Sequence, residues 1–197
     1  MATIPGELIT RHRLTVHDYH QMAASGILGS DDRVELIAGE VLDMSPIGSL
    51  HAALVAALSE YLCRLAAGRV TVWSQNPIRL GDFSEPQPDI ALVKPRPDYY
   101  AAAHPGPADT LLIVEVAESS LAYDLGVKVP LYALHGIPEV WVIDAATRTT
   151  HRFRGPRPDG YGEKEMLAPD EPLSCLALPG AVTTLAAAVP LGRSAGA

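Results

Sequence analysis

The spacing of apolar residues predicts two well-defined helices. Leucines and valines recur at intervals of three and four residues after Ser49, and Gly68 follows as a stop signal, so a helix is predicted between them. Segment 121–135 shows similar spacing, although Pro130 inside it predicts a kink or a restart of the helix. Shorter helices are expected over residues 14–28 and 178–189.

Strands are predicted from alternating and continuous apolar runs. Runs 89–93 and 110–117 are almost wholly apolar, which is typical of central strands covered on both faces. Alternation on both sides of Ala38 and Gly39 predicts a β-hairpin. Residues 70–73 and 76–80 are expected to form one long or interrupted strand, and further strands are expected over residues 139–144, 148–154 and 161–167. Helices interspersed with strands in this order predict a mixed α/β sheet with helices on its faces.

Length and composition favour one globular domain. The 197 residues contain no visible repeat, and 48% of them are hydrophobic against 19% charged, so most of the chain should fold. Cys63 and Cys175 lie apart among apolar residues, as expected for reduced thiols in a cytoplasmic protein. The N-terminal segment lacks the apolar core of a signal peptide, and no stretch is apolar enough to predict a membrane span.

The net charge of −8 argues against a protein held on nucleic acid by general electrostatic attraction. Any contact with phosphate should therefore be local. Three arginines, Arg148, Arg152 and Arg154, fall on one face of a predicted strand. Such a stripe is typical of a solvated hairpin face, and phosphate binding is the alternative.

Two acids stand out because apolar sequence surrounds them. Glu115 interrupts a strand that is expected to be buried, where an unpaired carboxylate costs several kcal/mol. Asp89 begins another apolar strand, so the two carboxylates can meet at one end of the sheet if the strands are neighbours. Paired carboxylates with open coordination positions suit Mg²⁺ or Mn²⁺. The alternative is that Asp89 caps a turn and Glu115 forms a buried ion pair with an arginine.

An ordered set of short motifs resembles a known nuclease family. The motifs are Glu35–Gly39 (ELIAG), Met44–Pro46 (MSP), His51, Pro88-Asp89, Val114–Val116 (VEV), Asp124-x-x-x-Lys128 and Tyr132–Asp144 (YALHGIPEVWVID). Together they resemble the Uma-type restriction endonuclease family of the PD-(D/E)XK nuclease superfamily, over about residues 14–190. The resemblance implies a restriction-endonuclease-like core, and we expect residues 1–197 to form a single domain with flexible ends.

The resemblance also implies an activity, which is metal-dependent hydrolysis of phosphodiester bonds by an endonuclease acting on DNA. Asp89 matches the aspartate of the PD element, and Glu115 matches the acid of the (D/E)XK element. These two residues would hold Mg²⁺, or Mn²⁺ in its place, together with the backbone carbonyl of Val116. Cleavage of both DNA strands would favour a homodimer with two-fold symmetry.

One motif position departs from the superfamily pattern, because Ala117 stands where that pattern has lysine. Lys128 is the candidate replacement as catalytic cation, the alternative being an exposed salt bridge with Asp124, four residues earlier. The resemblance places His51 near the metal cleft, where it would position a water or contact a phosphate; the alternative is a packing residue. Glu35 is expected to support the metal ligands without touching the metal, with a solvated strand acid as the alternative.

A different class of function is a non-catalytic nucleic-acid-binding or regulatory module that retains the nuclease fold. Ala117 favours this alternative, since the usual lysine is missing from its strand. Metal binding distinguishes the two, because an intact site should raise the melting temperature in millimolar Mn²⁺ and an inactive module should not.

Overall fold

The computed structural model describes residues 11–29 and 31–190, and a six-stranded mixed sheet forms its centre. The strands are β3 (Thr71–Ser74), β4 (Ile90–Val93), β5 (Thr110–Ala117), β6 (Glu139–Asp144), β7 (Thr150–Arg157) and β8 (Gly160–Leu167). They lie side by side in chain order, and of the five neighbouring pairs β5–β6 alone is parallel. The predicted mixed α/β sheet flanked by helices is confirmed.

Two small antiparallel pairs lie outside this sheet. The first joins β1 (Val34–Ile37) to β2 (Glu40–Asp43), and it confirms the predicted hairpin. Its two turn residues, Ala38 and Gly39, have φ values of 52° and 86°, so both adopt the left-handed region. The second pair joins β9 (Leu173–Ser174) to β10 (Val182–Thr183) near the C-terminus.

The helices cover both faces of the sheet. They are α1 (Val16–Ala24), α2 (Ser49–Ala66), α3 (Leu121–Tyr123), α4 (Val129–Leu134) and α5 (Leu185–Ala188). A π-helical turn over Asp124–Lys128 joins α3 to α4, and the N–H of Val129 donates to the carbonyl of Asp124. The irregularity predicted from Pro130 is this wide turn, which ends two residues before Pro130, a residue that has no N–H to donate.

Two predicted elements are wrong. Residues 76–80 form no strand; instead the N–H groups of Ile78 and Leu80 donate to the carbonyls of Pro86 and Ser84 within a loop. The short C-terminal helix predicted over 178–189 is reduced to α5, because Gly180 has a φ of 81° and residues 182–183 pair with β9.

Side chains of the central strands alternate between two apolar layers. On one face of β5, Leu112, Val114 and Val116 pack towards α2. On the other face, Ile113 and Ala117 pack with the helix that contains Tyr132. Glu115 lies between these last two in the strand, so the two-residue period of the strand turns its carboxylate towards the same helix.

The predicted arginine stripe, of which β7 carries Arg152 and Arg154 while Arg148 precedes the strand, is neither solvated nor free to bind phosphate. Arg154 lies 2.7 Å from the fully buried carboxylate of Glu139, and its side chain is only 15% exposed. Arg152 pairs with Glu165, and Arg148 donates to the carbonyl of Val189. These contacts fasten β7 to β6, β8 and the C-terminal segment.

No helix of the described ranges is long and apolar enough to cross a membrane. The flexible ends predicted from the sequence fall mainly on residues outside those ranges.

Candidate functional site

A cleft of about 750 Å³ opens where β4 begins and β5 ends. The first turn of α2, hairpin β1–β2 and the helix after β5 form its other walls. The six residues singled out from the sequence all line it: Glu35, His51, Asp89, Glu115, Val116 and Lys128.

Asp89 and Glu115 converge because of the antiparallel register of β4 and β5. Ile90 pairs with Val114, which sets the residue before β4 opposite Glu115. The backbone N–H of Asp89 lies 3.4 Å from Glu115 Oε2. The N–H of Val116 donates to Asp89 Oδ2 at 2.7 Å, so both carboxylates are held at one end of the two strands.

Glu115 is a buried carboxyl with built-in partners. It is 3% exposed, and its Oε1 accepts a hydrogen bond of 2.6 Å from the hydroxyl of Tyr132. Burial raises the pKa of Glu115 to about 8; the ammonium of Lys128 opposes this rise, and the charge of Asp89 adds to it. The site can therefore hold or release a proton near neutral pH.

Lys128 is buried between two acids. Its Nζ lies 3.2 Å from Glu35 Oε2 and 3.3 Å from Glu115 Oε1, and its side chain is 7% exposed. Burial opposes the charged form, but the carboxylates of Glu115 and Glu35 outweigh it and raise the pKa of Lys128, so the ammonium stays charged. The alternative of an exposed salt bridge with Asp124 is wrong, since Asp124 instead accepts a 2.6 Å hydrogen bond from Ser120.

Glu35 is also buried, which excludes the alternative of a solvated strand acid. It is 5% exposed, and its Oε2 accepts from the backbone N–H of Gln87 at 3.2 Å besides contacting Lys128. The hairpin β1–β2 thus places the carboxylate of Glu35 in contact with the ammonium of Lys128.

His51 lies in the first turn of α2, and its Nε2 is 2.9 Å from Asp89 Oδ1. This hydrogen bond is the main reason that the pKa of His51 is raised, although partial burial lowers it. The other ring nitrogen, Nδ1, is buried without a hydrogen-bond partner among the described residues. The structure thus places His51 against Asp89 rather than in a packing role alone.

Two tyrosines contribute to the site although the sequence reasoning assigned them no role. Tyr132 lies four residues after Lys128, a spacing that places both on one helix face and that could have revealed the pair. Tyr123 lines the cleft with a buried hydroxyl that has no partner within the described part of the chain. Burial raises the pKa of Tyr123 to about 12, so its hydroxyl keeps its proton.

The donor set fits a magnesium site of the open kind. Mg²⁺ usually binds through one or two carboxylates and leaves its other positions to water and substrate. Asp89 and Glu115 supply two such carboxylates, and within the described part of the chain the hydrogen-bond contact of Glu115 Oε2 is the long one of 3.4 Å to a backbone N–H. Residues 11–29 and 31–190 contain no group of three or more His, Cys, Asp or Glu side chains arranged to hold a metal. This site would therefore depend on water and substrate to complete its coordination.

Comparison with known families decides the relationship. A family model described as "Putative restriction endonuclease" matches residues 16–188. The chain belongs to the Uma2 family. The family resemblance expected from the ordered motifs is thereby confirmed.

A solved structure shares the fold of this Uma2 protein. It is titled a "putative nuclease belonging to DUF820" from Anabaena variabilis ATCC 29413, and it matches with a TM-score of 0.69 and 14% sequence identity. The match covers 90% of this chain and 98% of that one. A comparison with curated proteins finds no match. The family description and the shared fold support a nuclease.

Proposed function

We propose that this Uma2 protein is a metal-dependent endonuclease that hydrolyses phosphodiester bonds, with DNA as its substrate. The observation that supports this most is the convergence of Asp89, Glu115 and the ammonium of Lys128 at the base of an open cleft. A buried ion pair alone would need neither the second carboxylate nor the opening.

The metal ligands would be Asp89, Glu115 and the backbone carbonyl of Val116. Mg²⁺, or Mn²⁺ in its place, supplies Lewis-acid stabilisation of a phosphate and lowers the pKa of a bound water. Asp89 is oriented for this task through both of its oxygens, by the N–H of Val116 and by His51. Tyr132 fixes Glu115 in the same way.

Lys128 would stabilise the negative charge that develops on the phosphate. An ammonium has three N–H donors, and Glu35 and Glu115 occupy two of them. The third donor is available to a phosphate oxygen or to the attacking water. Because the lysine comes from the helix covering Glu115, it takes over the role that the strand position now occupied by Ala117 has in the superfamily pattern.

His51 would accept or release a proton during the reaction. Its Nε2 is committed to Asp89, so Nδ1 is the ring atom left to accept or release one. The hydrogen bond to Asp89 also fixes the orientation of the ring, which a group that exchanges protons requires.

A cleavage assay tests the proposal. Supercoiled plasmid and single-stranded DNA are incubated with the protein in Mg²⁺, in Mn²⁺ and in EDTA, beside Asp89→Ala and the control Asp82→Ala, which removes an exposed acid outside the cleft. We expect cleavage by the parent and the control in either metal, and none in EDTA or by Asp89→Ala. Equal cleavage by Asp89→Ala would contradict the assignment.

The second candidate is a non-catalytic nucleic-acid-binding or regulatory module. It is supported by the interactions that Glu115 makes within the protein, namely an ion pair with Lys128 and a hydrogen bond from Tyr132. Lack of cleavage together with an unchanged melting temperature in Mn²⁺ would favour it over the nuclease. The homodimer stays a prediction, which sedimentation equilibrium of the full chain tests directly.

A further inference from the structure

The charge of the cleft is unfavourable for a nucleic acid duplex. Six carboxylates and two cations line it, the cations being Arg33 and Lys128. Lys128 is already held by two acids, so among residues 11–29 and 31–190 the exposed Arg33 is the one cation of the lining without a carboxylate partner. Proteins that bind duplex DNA commonly neutralise six to ten phosphates, roughly, with lysine and arginine.

Half of the twelve lysines and arginines described outside the cleft are paired with acids. Six ion pairs engage arginines outside the cleft: Arg11–Glu40, Arg64–Glu60, Arg79–Asp82, Arg96–Asp98, Arg152–Glu165 and Arg154–Glu139. Together with the net charge of −8, these pairs reduce the positive surface that could hold two phosphate backbones.

Part of the cleft lining is apolar. It consists of Leu42 in β2 and of Met44, Pro46 and Ile47 in the loop before α2, which alternate with the polar Asp43 and Ser45, and we call these four residues the apolar lip. Ile47 is 43% exposed, so the lip presents apolar surface to solvent. The loop is anchored at its start, where the N–H of Met44 donates to the carbonyl of Arg33 at 2.8 Å and Arg33 Nη1 donates to the carbonyl of Ser45 at 3.2 Å.

Such a surface suits a nucleobase whose faces are exposed. In a duplex each base face is covered by its neighbours, whereas an unpaired strand can turn a base out onto apolar side chains. The candidate catalytic acids also lie deep, with side-chain exposures of 16% for Asp89 and 4% for Glu115. A single strand can place a phosphate beside these two acids, because its bases are free to unstack.

We propose that the cleft takes an unpaired strand of nucleic acid, with a base against the apolar lip and a neighbouring phosphate on Arg33. This inference rests on the proposed nuclease function and specifies its substrate. It needs no second protomer to contact an opposite strand.

Fluorescence anisotropy with labelled 12-mers tests the inference. The probes are single-stranded DNA, single-stranded RNA of the same sequence and a DNA hairpin duplex, each titrated with the full chain in Ca²⁺. We expect at least one single strand to bind about tenfold tighter than the duplex. Its affinity should fall less than about tenfold between 50 and 200 mM salt, because one or two phosphate contacts release few counterions, whereas six to ten would cost roughly 10³–10⁵. Preference for the duplex, or a steep loss with salt, would overturn the inference.

Two lip variants and a matched control make the test specific. Ile47→Ser should weaken single-strand binding about fivefold or more, and Arg33→Gln should flatten the salt dependence further. Ile27→Ser removes an equally apolar side chain that is 68% exposed and outside the cleft, and it should bind as the parent does. An Ile47→Ser protein that also matches the parent would overturn the role of the lip.

The outcome separates this inference from the nuclease proposal. Metal-dependent cleavage of duplex in preference to single strands would refute the unpaired-strand substrate and leave the nuclease standing. Single-strand binding that depends on Ile47, without cleavage of any substrate, would support the binding surface and refute the nuclease. Failure to bind either form refutes the inference.

Discussion

Replacing Lys128 by methionine should destabilise the protein strongly, and this prediction separates the buried site from an exposed salt bridge. Methionine keeps most of the apolar stem and removes the ammonium. The two carboxylates that this ammonium contacts at 3.2 and 3.3 Å, Glu35 and Glu115, would then lie 6% and 4% exposed without their cation. The change therefore tests charge compensation rather than the filling of a cavity.

The expected loss follows from this burial. Removing one partner of a buried ion pair costs about 3–5 kcal/mol, because the remaining charge stays desolvated. The pKa of Glu115 is about 8 even with Lys128 present, so this carboxyl is already mostly protonated at pH 7, which keeps the loss within that range. Against a total stability of roughly 5–15 kcal/mol, Lys128→Met should remain folded but unfold at much lower denaturant.

Urea unfolding followed by circular dichroism at pH 7 measures the effect, with EDTA present so that no metal compensates the acids. Lys94→Met is the matched control, since Lys94 is exposed and its loss should change stability by no more than about 0.5 kcal/mol. Adding Glu35→Gln to Lys128→Met should restore more than about 1 kcal/mol of the free energy of unfolding, because it removes one of the two buried acids that have lost their cation. A loss below about 1 kcal/mol in Lys128→Met would refute the reasoning, because the acids would then be compensated by water.

Three further predictions concern the acids and their donors. The free energy of unfolding in EDTA should fall as pH rises from about 5 to 8, by up to about 1.4 kcal/mol per pH unit, because folded Glu115 keeps a proton that the unfolded chain, with a pKa of 4.5, has released. Glu115→Gln should flatten that profile in urea titrations at several pH values, and an unchanged slope would assign it to another group. Tyr132→Phe should cost about 1–3 kcal/mol in the same unfolding assay, since the buried Glu115 Oε1 loses its 2.6 Å donor, whereas a neutral result would mean that the hydroxyl is dispensable. Millimolar Mn²⁺ should raise the melting temperature of the parent in differential scanning fluorimetry and leave that of Asp89→Asn unchanged; an equal rise in both would place the ion elsewhere.

The sequence by itself determined the fold class and the central acids. Two nearly unbroken apolar runs predicted central strands buried on both faces, and they are β4 and β5. Glu115 was conspicuous because a carboxylate inside such a run needs compensation. Helix α1, its capping box at Thr15 and Asp18, and the hairpin turn also follow from local residue preferences.

Only the tertiary structure decided which groups compensate Glu115. Ion-pair partners are set by how strands and helices pack, and the exposure of Lys128 depends on which helix face lies on the sheet. A spacing of four residues from Asp124 suggested a weak surface pair, whereas packing buried the ammonium between acids from β1 and β5.

The same reason explains the errors at the C-terminus and on β7. Local apolar content favoured a short helix over residues 178–189, but pairing of residues 182–183 with β9 prevents its first half from forming. The sequence predicted a solvated face for Arg148, Arg152 and Arg154. In the structure Glu139 pairs with Arg154, and the C-terminal segment accepts a hydrogen bond from Arg148. Local pattern fixes which elements can form, while contacts between residues distant in sequence determine which charges are buried and which partners they find.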